Sequence, residues 1–258
     1  MEVFFLKLVA TPLLVGAASL AGRRWGAEVG GWLVGIPFTS GPIALFLALD
    51  SGLHFAAQAA TGILAGTVSQ AAFAVAYAWV ALRAGWTFSL AAATAGFLAL
   101  TFVMAAVSFD PLPTFAVAIA SLVLAIAAMP RRRATAVRPR PLPWWDIPAR
   151  MVVATGFVIA LTAAAPVLGS RLAGLLAPFP LYATVLSVFA QRLAGPGSAI
   201  AVLHGLLAGL FAFALFFLLV SLLLEARGIL VAFTAALAAA LVAQAVSLVA
   251  TRRLGLAR

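Results

Sequence analysis

Nine long apolar runs, separated by short stretches rich in charge, glycine or proline, dominate this chain of 258 residues. A transmembrane α-helix needs about 20 predominantly apolar residues, so each run is long enough to cross a bilayer. The runs lie at about 3–21, 29–49, 54–82, 86–108, 112–129, 149–167, 171–191, 198–224 and 228–250. The sequence therefore predicts an all-α polytopic membrane protein with nine transmembrane helices.

The scarcity of charge supports the same class. Hydrophobic residues make up 66% of the chain and charged residues 9%, whereas a soluble domain carries about 25% charged residues. Such a chain cannot cover a water-exposed surface, which excludes a soluble enzyme and a disordered protein. We expect a multi-pass protein of the cell (inner, plasma) membrane, with the lipid bilayer as its surroundings.

The distribution of basic residues predicts the orientation. If the hydrophilic linker at 130–146 lies in the cytoplasm and the nine spans alternate, then 13 of the 16 basic residues lie inside and three outside. Cytoplasmic loops carry the excess of Lys and Arg in membrane proteins, so the N-terminus is predicted outside and the C-terminus inside. The same rule accounts for the net charge of +10, and no nucleic-acid partner is expected.

An internal repeat relates the two halves of the chain. A shift of 143 residues places 25–38 over 168–181 without a gap, and 62–66 over 205–209. Glycines, prolines and phenylalanines coincide in this one register, as in Gly52 with Gly195, Gly85 with Gly228, Pro37 with Pro180 and Phe73 with Phe216. We therefore expect a first four-helix repeat at 1–108, a linker helix with a basic cytoplasmic loop at 109–147, and a second four-helix repeat at 148–258.

A single linker helix between the two units inverts the second relative to the first, which gives a 4+1+4 architecture. Inverted repeats are the recurring plan of secondary transporters, so we predict a transporter that works by alternating access. The layout also resembles, in topology alone, the fused form of fluoride channels, and a passive channel is the first alternative. A membrane-embedded accessory or lipid-handling protein is the second.

Prolines at corresponding places in the second helix of each repeat mark the predicted binding site. The first copy reads GIPFTSGPIALF and the second APFPLYATVLSVF. Proline removes a backbone donor, and unwound backbone at membrane depth is tolerated where it is buried in protein or lines a cavity. We expect the amides of Ser40 and Gly41 to be free at a half-helix that resumes at Pro42. A small polar or anionic solute would then bind between helices 2 and 7, and its predicted ligands are Pro37, Thr39, Ser40, Gly41, Tyr182 and Thr184.

Three further polar residues lie inside predicted spans. His204 could relay protons or bond a neighbouring helix, and Thr61 is its partner in the repeat. Gln70 could line a cavity or bond a neighbouring carbonyl. The repeated GxxxG pairs at 62–66 and 205–209 predict a close crossing of the third and eighth helices.

Several kinds of site are not expected. The chain has no cysteine, two histidines and no GxxxxGK[ST] loop, so conventional zinc, haem and ATPase sites are not predicted. We therefore expect no enzymatic activity, no cofactor and no metal. The expected partner is a small-molecule solute, and a homo-oligomer stays open.

Overall fold

The computed structural model describes residues 40–107, 110–130 and 144–253, together with the single positions 9, 12, 13, 16, 20, 24 and 37. The side chains at 146, 150, 154, 161, 182, 193 and 247–253 are not described. Most of the predicted first span, the first part of the second span and most of the basic linker therefore lie outside the described residues.

Seven helices account for almost all of the described chain. They are α1 Ser40–Asp50, α2 Leu53–Ala81, α3 Trp86–Ala106, α4 Pro111–Ala128, α5 Asp146–Leu176, α6 Leu181–Ala194 and α7 Pro196–Arg253. No strand occurs among the described residues. The prediction of an all-helical protein is confirmed.

Four helical stretches are long and apolar enough to cross a membrane: Leu53–Ala81, Trp86–Ala106, Pro111–Ala128 and Pro196–Val246. Two segments of α5, Ile147–Ala160 and Thr162–Leu176, are bent by 65° relative to each other and would together make a fifth span. These helices are compatible with a membrane protein. The total of nine spans and their orientation stay predictions.

Glycines interrupt the two longest helices. Gly228 has φ 76 and ψ 175, which is not helical, so α7 consists of two helical stretches that meet at this residue. Gly169 has φ 76 and ψ 162 inside α5. The sequence placed span boundaries at both of these glycines.

A short helix, a glycine and a long helix follow one another twice. Gly52 joins α1 to α2 with φ 90 and ψ 165, and Gly195 joins α6 to α7 with φ 84 and ψ 178. This region of φ and ψ is open to glycine at no steric cost and disfavoured for other residues. The two glycines are 143 positions apart, which is the shift of the repeat. Two positions that correspond in the repeat therefore have similar backbone angles. The inverted relation of the halves stays a prediction.

The central helix of the described fold is α2, which contacts α1, α3, α4, α5 and α7. A Cβ on Gly62 would lie 2.9 Å from the oxygen of Arg171 and 3.1 Å from the Cα of Gly174. A Cβ on Gly66 would collide with the ring of Pro178. The nearest atoms at both glycines therefore belong to α5 and the turn after it. The expected crossing of the third and eighth helices stays a prediction; α7, which contains the predicted eighth helix, does contact α2.

Polar contacts join the two halves of the chain at one end of the bundle. Nδ1 of His54 lies 3.1 Å from Oε1 of Glu225, and the hydroxyl of Ser170 donates to Oε1 of Gln58 at 2.7 Å. The sequence topology assigns all four of these residues to the outer side. Residues that the sequence places towards the same side of the membrane therefore contact each other at this end of the bundle.

A second set of contacts lies at the opposite helix ends. Nε2 of Gln191 donates to the carbonyl of Ala84 at 2.9 Å, and Nε1 of Trp79 donates to the carbonyl of Ala128 at 2.9 Å. The sequence topology assigns these residues to the cytoplasmic side. Both sets of contacts are compatible with the predicted alternation of spans.

Candidate functional site

The helical chain is interrupted between α5, which ends at Leu176, and α6, which begins at Leu181. Two prolines, Pro178 and Pro180, occupy this segment and supply no backbone donor. We call residues 177–180 the break. Pro178 packs on Gly66, which is next to the midpoint of α2. The break therefore lies level with the middle of α2.

Three of the carbonyl groups around the break accept hydrogen bonds from nearby backbone. The amide of Phe179 donates to Leu176 at 3.1 Å, the amide of Leu181 donates to Phe179 at 2.8 Å, and the amide of Thr184 donates to Pro180 at 2.8 Å. The first two bonds close tight turns, in which the donor lies three and two residues after the acceptor, and the third is the first α-helical bond of α6, so all three carbonyls are satisfied.

The two remaining carbonyls are bound by side chains from the first half of the chain. The hydroxyl of Ser40 donates to the carbonyl of Ala177 at 3.1 Å, and Nε2 of Gln70 donates to the carbonyl of Pro178 at 2.7 Å. Ser40 is 1% exposed and Gln70 is 5% exposed, so neither bond is shared with bulk solvent. The first half of the chain therefore completes the hydrogen bonding of a break in the second half.

Of the predicted ligands on the first broken helix, Ser40 lies at the break. The backbone amide of Gly41, which was expected to be free, is hydrogen-bonded. Helix α1 begins at Ser40, before Pro42. Its first turn is already formed, because the amide of Gly41 donates to the carbonyl of Pro37 at 2.8 Å. The expected free amide at Gly41 is therefore wrong in this conformation. Thr39 lies outside the described residues.

On the second broken helix, the structure describes Thr184 but not the side chain of Tyr182. The hydroxyl oxygen of Thr184 is buried and has no hydrogen-bond partner among the described residues. Its position one turn into α6 places it next to the break.

The three additional polar residues have different environments. Gln70 bonds a carbonyl, which was one of its two expected roles, and that carbonyl belongs to the break. The hydroxyl of Thr61 donates to Ala57 in its own helix at 3.2 Å. His204 is half-buried on α7.

An aromatic cluster that sequence reasoning missed holds the break in place. The ring of Phe179 lies 5.2 Å from that of Phe97, 6.1 Å from that of Phe73 and 6.4 Å from that of Phe157, between ring centroids. These rings come from α2, α3 and α5. The APFPLY motif places a phenylalanine between two prolines, but nothing in a local pattern indicates which distant rings it meets.

Sequence reasoning also missed Thr67 and Ser187. Both are 0% exposed, and their hydroxyl oxygens have no hydrogen-bond partner in the part of the chain that the structure describes. The only available signal is a hydroxyl in the middle of an apolar helix, which many packed helices share.

The chemistry available at the break is that of neutral polar groups. Within residues 40–107, 110–130 and 144–253, no group of three His, Asp or Glu side chains is placed to hold a metal ion. Comparisons of the chain with protein-family models, with curated proteins and with solved structures give no match.

Proposed function

We propose that this protein is a secondary transporter that moves a small polar solute across a cell membrane by alternating access. The observation that supports the proposal most directly is the break at mid-depth, whose carbonyls are bound by side chains of the other half of the chain. Discontinuous helices at the interface of two repeats are where transporters of this plan bind substrate.

The hydrogen bonds between the two halves are weak enough to break when the halves move relative to each other. Ser40 to Ala177 and Gln70 to Pro178 are hydrogen bonds between neutral groups, each with a net contribution of about 0.5–1.5 kcal/mol. A solute that offers its own polar groups can replace them at little net cost. They stabilise one arrangement of the halves without locking it.

Contacts at the two ends of the bundle also join the halves. Opening one end would break the His54–Glu225 and Gln58–Ser170 contacts, and opening the other would break the Gln191–Ala84 contact. The side chains of His54 and Glu225 are 73% and 52% exposed, so water competes for the hydrogen bond between them and its net contribution is about 1 kcal/mol or less. The polar contacts at the two ends therefore add little to the cost of opening either end.

The proposed binding site lies between the two broken helices, where the sequence placed it. Gln70 joins the predicted set because it contacts the break directly. Ser40 and Thr184 stay in the set as side chains that flank the break.

The test begins with a thermal-shift screen of the detergent-purified protein against small anions, amino acids and neutral metabolites. A ligand at 100 times its Kd raises the free energy of unfolding by roughly 2.7 kcal/mol. Hits are then measured in proteoliposomes as counterflow, in which an internal load of unlabelled solute drives transient accumulation of labelled solute.

Counterflow separates the candidate functions. A transporter accumulates labelled solute against its gradient for a time, whereas a passive channel equilibrates it without overshoot. An accessory or lipid-handling protein shows neither. The double variant Ser40→Ala with Tyr182→Phe is expected to reduce counterflow, and Ser121→Ala is its control, because the hydroxyl of Ser121 donates to Ala118 in its own helix.

A further inference from the structure

Four buried side-chain atoms on α2 and α6 have no hydrogen-bond partner among the described residues. They are Oγ1 of Thr67, Oε1 of Gln70, Oγ1 of Thr184 and Oγ of Ser187. They form two pairs with a spacing of three residues, one on α2 and one on α6. Residues three apart share a helix face, so each pair presents two polar groups together.

One residue of each pair bonds with the break. Gln70 uses its Nε2 to bind the carbonyl of Pro178, which leaves its Oε1 nearby as an acceptor. The amide of Thr184 binds the carbonyl of Pro180, which places the α6 pair at the other end of the same segment.

Thr67 differs from those described hydroxyl residues that bond within their own helix. The hydroxyl donates to a carbonyl three or four residues earlier at Ser89, Thr114, Ser121, Thr162, Ser221 and Thr234. The same carbonyl is available to Thr67 at Ile63, but the hydroxyl does not use it. A buried polar group that makes no hydrogen bond costs free energy, so its partner is expected to be a bound molecule.

The chemistry of these atoms limits what that molecule can be. Oε1 of Gln70 requires an N–H or O–H donor, and a hydroxyl such as that of Thr67 can donate or accept. All four side chains are neutral, so they offer an ion no opposite charge to offset the hydration that it loses on entering this interior.

On the basis of the proposed transport function, we infer that the solute is small and neutral, carries an N–H or O–H donor beside an acceptor, and is bound by Thr67 and Gln70. Amides and small polyhydroxy compounds belong to this class. The sequence allowed either a neutral or an anionic solute, and this inference selects the neutral one.

Three isosteric probes test the charge of the solute. Acetamide is neutral with a donor and an acceptor, acetate is an anion without a donor, and acetamidinium is a cation without an acceptor. Radiolabelled uptake and counterflow of each are measured in proteoliposomes of the full chain, with glycerol as a second neutral probe. Saturable uptake of a neutral probe, without saturable uptake of the two ions, is expected.

Matched variants test the site. Thr67→Val keeps the shape and removes the hydroxyl, and loss of one hydrogen bond to the solute is expected to raise the apparent KM by about tenfold. Thr67→Ser keeps the hydroxyl and is expected to restore the KM, which separates loss of binding from loss of folding. Thr162→Val is the control, because the hydroxyl of Thr162 donates to Val158 in its own helix at 2.7 Å.

The outcomes separate this inference from the proposed function. Saturable uptake of acetate or acetamidinium would overturn the neutral solute and leave transport intact. Uptake of a neutral probe that Thr67→Val does not change would overturn the site, since Thr67 would then bind water alone. Absence of counterflow for every solute tested would overturn the transport function together with the inference.

Discussion

The closest backbone approach in the described fold gives the sharpest test of the packing. A Cβ on Gly174 would lie 3.0 Å from the Cα and 3.0 Å from the carbonyl carbon of Ala59, and closer still to its oxygen. All three are backbone atoms of α2, so no side chain can rotate away. Gly174→Ala must therefore push α5 away from α2 until these contacts approach the 3.4 Å at which ordinary contact begins.

Overpacking of this kind costs about 1–3 kcal/mol. For a chain of this size each kcal/mol lowers Tm by roughly 2–4 °C, so Gly174→Ala is expected to unfold several degrees below the wild type. Thermal unfolding in detergent, followed by tryptophan fluorescence, measures the difference. Gly156→Ala is the control on the same helix, because a Cβ there meets nothing within 4 Å. A Gly174→Ala variant that is as stable as Gly156→Ala would refute the close packing of α2 and α5.

Three further predictions concern single contacts. Phe179→Ala removes the half-buried ring at the centre of the aromatic cluster and is expected to lower the free energy of unfolding by about 3 kcal/mol. The change is read from Tm in the same assay, and a change within error would mean that the cluster does not hold the break. Ser40→Ala leaves the carbonyl of Ala177 without its donor and is expected to cost about 1 kcal/mol, while no loss of stability would argue against the bond between the halves. Glu225→Gln replaces the carboxylate that His54 contacts by a neutral acceptor and is expected to cost less than about 1 kcal/mol, because the contact is exposed to solvent. A larger loss in the same assay would contradict an exposed contact.

Much of the helical framework follows from local sequence. The apolar runs at 54–82, 86–108 and 112–129 match α2, α3 and α4 within two residues at each end. This is expected, because uninterrupted apolar residues bounded by glycine or proline leave the backbone few other ways to satisfy its polar groups in an apolar environment. The interruptions at Gly228 and at the break were predictable for the same reason.

The site was less predictable than the helices. Sequence indicated that Ser40 and the second broken segment lie together, and the structure brings Ser40 to Ala177. It could not indicate that Gly41 pairs with Pro37 or that Phe179 meets rings from three helices, because such contacts depend on tertiary packing and not on spacing along the chain.

The GxxxG pair illustrates the same limit. A small-residue motif predicts that another backbone approaches closely, and one does at Gly62 and Gly66. The motif does not identify which helix approaches, and the atoms nearest to these two glycines belong to α5 and the turn after it, while α7 contacts α2 as well.

Cysteine accessibility tests alternating access most directly, because the natural chain contains no cysteine. Glu225→Cys and Arg192→Cys mark opposite ends of the bundle, and each should react with a membrane-impermeant thiol reagent from one face of oriented proteoliposomes. Ser187→Cys, which lies at a 0% exposed position on α6 about two turns after the break, is predicted to react slowly from either face and to be protected by the transported solute. Reaction of Ser187→Cys from neither face, or from a single face, would contradict alternating access.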